Sequence, residues 1–360
     1  MKAWFLTGPN QMELMDAPEP ELKPGYLIAE VLTAQASVTE ANMIALEGNP
    51  FGIMDKIKAN GKFSLTGHEM VGRAVAVNPQ SKFAVGDRVS TLAKVPCGEC
   101  DACKRGELRY CEHENLMGVT CDGIFAERVL LRETGLVKVP EVLSNAEAAN
   151  LQPIGDCVSA VESLVTLHPG CTVAVWGAGC LGMNTMQILK AYGARVIIVD
   201  IKEENLVLAR ELGADVAING KETDPVAEIM RLTDGRGADI VIEAAGGNPK
   251  RGLAGTIALQ QAVKALKPEG ELHILAIYGA TIEFPIGELR TYGKLLSMPK
   301  LTTTQHMAKA AQLIAEKKVQ VEPMITHRFD GIEQVPEMYR VTGNKTGVKS
   351  MNPAQVNIAK

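Results

Sequence analysis

Several features that define common protein classes are missing from this sequence of 360 residues. No apolar run reaches the roughly 18 residues that a membrane-spanning helix requires. The net charge is −5, so the chain lacks the positive excess that binds nucleic acid or an anionic membrane. Internal repeats and low-complexity segments are also missing, and we expect no signal peptide because Met1 to Trp4 lack its pattern.

The composition that is present predicts a globular chain with large cores. It is 46% hydrophobic and 22% charged, which argues against disorder. A chain of this length exceeds what one hydrophobic core usually serves, so we expect two domains. Part of the cysteine content is scattered, as in a reducing compartment, and we expect a cytoplasmic protein. The scattered residues are Cys121, Cys157, Cys171 and Cys180.

The remaining cysteines lie in one short segment with the spacing of metal ligands. Cys97, Cys100 and Cys103 are separated by two-residue spacers, and Cys111 follows. Zinc takes four thiolates at tetrahedral corners, and such spacers let neighbouring cysteines converge on one ion. Disulfides would need other Cα separations and Cβ directions for most pairings. We predict one structural zinc in a lobe at about residues 95–113.

The two halves of the chain differ in their patterns. Up to about residue 130, short extended stretches such as 26–31 are broken by Gly, Pro and polar turns, which predicts a β-rich, partly barrel-like domain. From Cys171 the pattern alternates between strand and helix, which predicts a doubly wound parallel sheet in an α/β fold. The predicted strands are 172–176, 195–199, 238–243 and 271–278, with helices at 181–192 and 259–266.

A glycine pattern follows the first of these strands. Gly177, Gly179 and Gly182 permit a tight turn, close approach of the backbone to a pyrophosphate, and close helix–strand packing. The helix N-terminus adds N–H groups and a positive dipole end for the phosphates. Asp200 ends the next strand, where a carboxylate accepts hydrogen bonds from an adenosine ribose and repels a 2′-phosphate. We therefore predict NAD as the cofactor, with Lys202 near enough to weaken the preference over NADP.

These motifs, with Gly67-His68-Glu69 and Gly86-Asp87-Arg88-Val89, resemble the zinc-dependent medium-chain alcohol and polyol dehydrogenases. The resemblance covers about residues 1–345, and the Gln152-Pro153 pair favours the sorbitol, threonine and sugar dehydrogenase branch. It implies a GroES-like catalytic domain at 1–150, an NAD-binding Rossmann domain at 151–293, and a return to the catalytic domain at 294–360. It also implies a homo-oligomer, either a dimer or a tetramer.

The resemblance implies a catalytic zinc as well, and here the sequence departs from the family. The family's first ligand is usually a cysteine, whereas the matching stretch here begins at Ser37. His68 matches the histidine ligand, Glu69 the carboxylate beside it, and Gln152 the third ligand. A neutral serine oxygen binds zinc less well than a thiolate. We expect Ser37 or water at that corner and a zinc held more weakly than in the lobe, or a site without metal.

The resemblance assigns the remaining roles residue by residue. Thr39 is expected to relay the substrate proton and to act with His68 and Glu69 in catalysis. Leu181 and Ile277 are expected to join the glycines and Asp200 in binding the cofactor.

Other interpretations remain open at single positions. His68 could be a core histidine, and Thr39 could be a strand-end hydroxyl. Gln152 could cap a helix that begins near Gly155.

The predicted function is NAD-linked oxidation of a secondary alcohol to a carbonyl by hydride transfer. The substrate would be a polyol, a sugar or a hydroxy amino acid, with segment 50–66 as the lip of its site. One alternative is an NAD(P)H-dependent reductase without the catalytic zinc, which Ser37 favours and the retained Gly67-His68-Glu69 opposes. Another is a non-enzymatic nucleotide-binding protein. Segment 345–351 departs from the hydrophobic strand on which relatives end.

Overall fold

The computed structural model of the protein describes residues 1–246, 255–278, 282–299, 301–344 and 353–359. Segment 345–351, which was predicted to depart from the family pattern, lies outside these residues. The chain forms two compact units. The first comprises Met1–Gly155, Leu301–Ala315 and Val321–Lys360, and the second comprises Asp156–Lys300 and Glu316–Gln320. No helix in the described ranges combines the length and apolar character that a membrane crossing needs.

The regular elements are given in chain order. The strands are β1 (Lys2–Gly8), β2 (Gln11–Asp16), β3 (Tyr26–Gln35), β4 (Phe63–Ser64), β5 (Glu69–Val77), β6 (Arg88–Thr91), β7 (Lys94–Val95), β8 (Asn115–Leu116), β9 (Arg128–Arg132), β10 (Leu136–Lys138), β11 (Thr172–Trp176), β12 (Arg195–Asp200), β13 (Val216–Asn219), β14 (Ala238–Glu243), β15 (Leu266–Ile274), β16 (Leu295–Ser297), β17 (Arg328–Asp330) and β18 (Gln355–Asn357). The helices are α1 (Val38–Met43), α2 (Ile53–Asn60), α3 (Asp101–Lys104), α4 (Asn145–Ala148), α5 (Leu151–Glu162), α6 (Cys180–Ala191), α7 (Glu203–Glu211), α8 (Pro225–Leu232), α9 (Gly255–Ala265), α10 (Ile286–Thr291), α11 (Thr304–Ala315) and α12 (Val335–Gly343).

The first unit is organised around strand β3. Its sheet has the order β10-β6-β5-β3-β18-β17, and β9 also pairs with β3. The strand is mostly apolar and almost entirely buried, and it pairs with β5, β9 and β18. Strand β18 joins the same sheet antiparallel, with Val356 opposite Ala34. A smaller sheet, β2-β1-β4, and the β7–β8 pair complete the strands described for this unit.

The second unit is a six-stranded sheet in the order β13-β12-β11-β14-β15-β16. Every pairing in it is parallel. Strand β11 lies between β12 and β14, where the order of the strands reverses, and ligands bind at such switch points in doubly wound folds. Its Val173, Ala174 and Val175 are fully buried, as expected for a strand with both faces covered. The predicted β-rich and doubly wound domains are thus both present.

The predicted elements of this sheet differ little from the observed ones. The strands expected at 172–176 and 238–243 have those bounds. The strand expected at 271–278 instead begins at Leu266 and ends at Ile274. Its pairing with β14 starts at Ala238 opposite Leu266 and shifts register before Ile240, so an irregular segment precedes the regular run.

Candidate active site and zinc lobe

The glycine turn after β11 has the shape of a phosphate cradle. Gly177 has φ +95°, and a Cβ there would lie 2.8 Å from the backbone of Ala245. A Cβ on Gly182 would lie 1.8 Å from the Gly177 carbonyl oxygen, so helix α6 packs directly against the turn. Gly179 is the N-cap of α6, and a Cβ there would meet nothing within 4 Å. The space beside Gly179 and the helix N-terminus therefore fit a pyrophosphate.

Asp200 is fixed at the edge of this cradle. Its Oδ2 accepts a hydrogen bond from the Ala178 N–H at 2.6 Å. Its Oδ1 accepts from the N–H groups of Ile201 and Lys202 at 2.7 and 2.9 Å. A carboxylate has about four acceptor positions, so capacity remains for a ribose hydroxyl. The residues present fit a dinucleotide.

Glu243 also lies at this edge of the sheet, although the sequence analysis did not select it. It pairs with Trp176 across β11 and β14 and is completely buried. Its Oε1 accepts from the N–H groups of Ala245 and Gly246, both at 2.9 Å. Burial raises the pKa of Glu243. Its carboxyl group holds the loop after β14 through these two hydrogen bonds. A carboxylate at the end of an apolar strand was the sequence signal that could have identified Glu243.

The other predicted cofactor contacts lie on the same sheet's carboxyl end. Leu181 is half-buried in the first turn of α6. Ile277 follows β15 and is 74% exposed. A Cβ on Gly246 would lie 3.1 Å from the Ile277 carbonyl oxygen, so the loops after β14 and β15 are neighbours.

The four clustered cysteines converge on a single point. All four sulfur atoms of Cys97, Cys100, Cys103 and Cys111 lie within 4.8 Å of one another. The Cys97 and Cys103 sulfurs are 3.9 Å apart, close to the roughly 3.8 Å that tetrahedral Zn–S bonds would give. Strands β7 and β8 close the base of the lobe. The donor set and its geometry fit zinc.

The thiols of the lobe differ in their pKa values. Backbone N–H groups of Cys100 and Glu99 point at the Cys97 sulfur and lower the pKa of this thiol to about 6. Burial raises the pKa of Cys103 to about 12. A cation among the sulfurs would favour the thiolate form of every ligand.

Two of the predicted site residues, His68 and Ser37, are joined by Glu40, a residue that the sequence analysis did not select. The Glu40 Oε1 lies 2.6 Å from the His68 Nδ1. The Glu40 Oε2 accepts from the Ser37 N–H at 2.8 Å, and the Ser37 Oγ accepts from the Glu40 N–H at 3.1 Å. This is a capping box at the start of α1. The Ser-x-x-Glu spacing was the sequence signal that could have identified Glu40.

Glu69 belongs to a second, buried network. Its Oε2 accepts from the Gln35 Nε2, which also donates to the Asn150 Oδ1 at 3.2 Å. The Gln35 Oε1 accepts from the Gln355 Nε2 at 2.9 Å. All of these side chains are buried. The network links the Glu69 carboxylate, through Gln35, to Asn150, the residue that precedes α5.

The backbone before His68 is held by aromatic packing. A Cβ on Gly67 would lie 2.3 Å from the Phe125 ring, so only glycine fits there. Phe125 packs edge-on against Tyr339, with ring centroids 5.3 Å apart. The Tyr339 hydroxyl donates to the Thr66 carbonyl at 2.5 Å. These contacts explain why glycine precedes histidine in this motif.

The two remaining predicted site residues, Gln152 and Thr39, lie in helices. Gln152 is buried in the first turn of α5, which begins at Leu151. The interpretation of Gln152 as the cap of a helix near Gly155 is therefore wrong. Thr39 is exposed in α1, so it is not a strand-end hydroxyl. In the part of the chain that the structure describes, only the cysteine lobe brings three or more His, Cys, Asp or Glu ligand atoms together.

Comparisons with known proteins agree with this architecture. Residues 30–141 match the alcohol dehydrogenase GroES-like domain, and residues 180–316 match the zinc-binding dehydrogenase domain. The L-threonine 3-dehydrogenase of Pyrococcus horikoshii is 31% identical over 345 residues, 93% of each chain. An Escherichia coli oxidoreductase/dehydrogenase of unknown specificity superposes with TM-score 0.87 at 24% identity, covering 100% of this chain and 99% of that one. Galactitol-1-phosphate dehydrogenase from Escherichia coli superposes with TM-score 0.84 at 21% identity and full coverage of both chains.

The fold and the matched domains define a GroES-like and Rossmann oxidoreductase. The chain belongs to the zinc-dependent medium-chain alcohol and polyol dehydrogenase family. It is an oxidoreductase that acts on CH–OH groups, and NAD as its cofactor stays a prediction. The predicted family, fold class and reaction class are confirmed, and zinc is the metal of the family. The number of zinc ions and the individual site residues stay predictions.

Proposed function

We propose that the protein oxidises a secondary alcohol of a polyol, a sugar or a hydroxy amino acid, using NAD and a zinc ion at His68 besides the lobe zinc. The observation that carries this proposal is the contact between Glu40 and His68 at 2.6 Å. A carboxylate can only accept a hydrogen bond, so the Nδ1 of His68 carries the ring proton. The Nε2 then has the lone pair that binds a metal. Carboxylate–histidine pairs of this kind orient metal ligands.

The other ligands in the proposal are Glu69 and Gln152, with Ser37 as the weakest. The Ser37 Oγ already accepts the Glu40 N–H, which reduces its value as a metal ligand. Glu69 supplies the negative charge among these ligands. We therefore propose that this zinc is held more weakly than the lobe zinc, because no thiolate anchors it.

When bound, the zinc supplies positive charge that eases loss of an alcohol proton, and the nicotinamide accepts the hydride. The chain's own residues do the rest in this proposal. Glu40 keeps the His68 ring oriented, and Thr39 passes the hydroxyl proton towards solvent from its exposed position in α1. The carbinol carbon loses a hydride and its oxygen loses a proton, so the products are a carbonyl compound, NADH and a proton.

The substrate class is supported by the relatives named L-threonine 3-dehydrogenase. A panel of sugars, polyols and 3-hydroxy amino acids with NAD, run beside zinc quantification, tests it. We expect NADH formation with at least one class and about two zinc ions per chain. Absence of turnover across the whole panel would contradict the proposed substrate class.

A second candidate function is an NAD(P)H-dependent reductase that lacks the zinc at His68. The capping role of Ser37 favours it, since the hydroxyl has a structural task without any metal. About one zinc ion per chain together with carbonyl reduction would support this alternative.

Asp200→Ala is expected to lower the preference for NAD over NADP by about tenfold or more, because it removes a charge-assisted hydrogen bond to ribose and the repulsion of a 2′-phosphate. The measurement is kcat/KM with each cofactor. Glu204→Gln is the matched control, because it removes one exposed charge from nearby α7 without touching the glycine turn. A wild-type protein that strongly prefers NADP would contradict this assignment.

We propose the division of roles that the sequence suggested, with residues 1–150 and 294–360 catalytic and residues 151–293 binding NAD. The positions of His68 and the cysteine lobe in the first unit, and of the glycine turn in the second, support it. We also propose a cytoplasmic location, supported by the absence of disulfide bonds among the cysteines that the structure describes.

We propose that the protein is a homo-oligomer paired through strand β16. This strand forms one edge of the parallel sheet, and Leu295, Leu296 and Met298 on or beside it are 41%, 37% and 55% exposed. An uncovered apolar edge strand favours pairing with a second copy. Light scattering should give a multiple of 38.6 kDa, and Leu296→Lys should shift the mass towards one chain. A monomeric wild type would contradict this proposal.

A further inference from the structure

A cavity of about 430 Å³ lies in the first unit, and its lining includes none of the catalytic, metal-binding or cofactor-binding residues assigned above. Strands β1 and β4, helix α2, Lys62 and loop 119–122 line it. Its volume lies within the range of small-molecule sites, roughly 300–1,000 Å³. Five of the lining residues belong to segment 50–66, the predicted lip of the substrate site: Lys56, Asn60, Lys62, Phe63 and Ser64. No lining residue has a catalytic, metal-binding or cofactor-binding role in the proposed dehydrogenase chemistry.

Two ammonium groups line the cavity beside aromatic rings. The Lys62 Nζ lies 4.1 Å from the centroid of the Phe5 ring, and the Lys56 Nζ lies 5.1 Å from that of Phe63. The Lys56 Nζ also donates to the Val119 carbonyl at 2.9 Å, which fixes its position. Among the described residues, neither lysine forms an ion pair, and the contacts given above are with neutral groups, so no carboxylate neutralises either charge.

The other polar groups of the lining are consistent with an anionic ligand. The Ser64 Oγ accepts from the Gly123 N–H at 3.1 Å, which leaves the hydroxyl proton as a donor. Asn60 adds an amide. Asp122 is the acidic residue of the lining, so the cavity carries more positive than negative charge.

We propose that this cavity binds a small organic oxyanion, a phosphate monoester or a carboxylate. The charged group would lie between Lys56 and Lys62, and an apolar or planar part would contact Phe5 and Phe63. Half-buried ammonium groups bind an anion more strongly than fully exposed ones, because less solvent screens them. The proposal does not rest on the proposed function, since binding can be measured without turnover.

Phenyl phosphate is the probe, titrated by calorimetry into the full-length protein with NAD saturating so that the phosphate cradle at Gly179 is occupied. We expect saturable binding, weaker binding of inorganic phosphate and none of phenol. Lys62→Gln should weaken the binding by about tenfold or more. Asp122→Asn should tighten it by removing the opposing charge.

Lys58→Gln is the matched control, because Lys58 lies on the same helix, pairs with Asp55 and is 72% exposed outside the cavity lining. The affinity of the Lys58→Gln variant for phenyl phosphate should equal that of the wild type. Absence of saturable binding in the wild type overturns the proposal. Wild-type affinity in the Lys56→Gln/Lys62→Gln double variant overturns it as well.

Once binding is established, kinetics distinguish two sources of the oxyanion. If the oxyanion is a group of the alcohol substrate itself, phenyl phosphate should compete with that substrate. Lys62→Gln should then raise KM and leave kcat unchanged. If the oxyanion belongs to a ligand other than the substrate, Lys62→Gln should leave KM for the substrate unchanged. Both results require an occupied cavity.

Discussion

His68→Ala is expected to lower kcat/KM by about a hundredfold or more, because loss of a Lewis acid removes several kcal/mol of transition-state stabilisation. It is also expected to remove one zinc ion per chain while the lobe zinc stays. The matched control is His168→Ala, which removes an exposed histidine in the second unit. Steady-state kinetics and metal quantification measure both effects.

Glu40→Gln gives a graded version of the same test. The Glu40 carboxylate contacts the His68 Nδ1. In the proposal Glu40 orients the His68 ring and is not itself a zinc ligand. Loss of such an orienting partner typically costs about 10–100-fold in metal affinity or activity. Mild chelation should act in the same direction and be reversed by added zinc. Ser37→Cys should instead increase zinc retention, since a thiolate binds more tightly than a hydroxyl.

Full activity with only the lobe zinc bound, or an active His68→Ala variant, would contradict the zinc mechanism. The metal-free reductase would then be the better account. The chelation result separates that outcome from misfolding, because the lobe zinc and the melting temperature report on the fold independently.

Cys100→Ser is expected to lower the free energy of unfolding by several kcal/mol and to release the lobe zinc. The lobe between β7 and β8 has little regular structure, with α3 spanning only Asp101–Lys104. A metal must therefore supply much of what a hydrophobic core would otherwise provide. Zinc content and denaturant unfolding measure the change.

Cys121→Ser is the control for this variant, because Cys121 is half-buried outside the lobe. It should keep the lobe zinc and leave stability nearly unchanged. Equal zinc content and melting temperature in Cys100→Ser and wild type would show that the cysteines do not hold a structural metal.

The sequence predicted those features that depend on local pattern. The strand at 172–176 and the helix after it were predictable because an apolar run, a glycine turn and a helical repeat occur in succession. The metal lobe was predictable because its four ligands lie within one short segment. In both cases the chemistry is encoded by neighbours along the chain.

The features that the sequence analysis missed depend on residues far apart in the chain. Glu40 gained its importance only when β5 placed His68 beside α1. The Glu69 carboxylate is held through Gln35, Asn150 and Gln355, which come from separate segments. The start of α5 at Leu151 was also missed, and the buried Asn150 network precedes it.

By itself, the sequence determined the family, the two kinds of domain, the cysteine lobe and the glycine turn, because spacing along the chain fixes which of these residues meet. Only the tertiary structure decided that Glu40 contacts His68 and that Gly67 has no room for a side chain beside Phe125. Contacts of this second kind depend on how sheet register and ring packing place distant segments, and no local spacing specifies them.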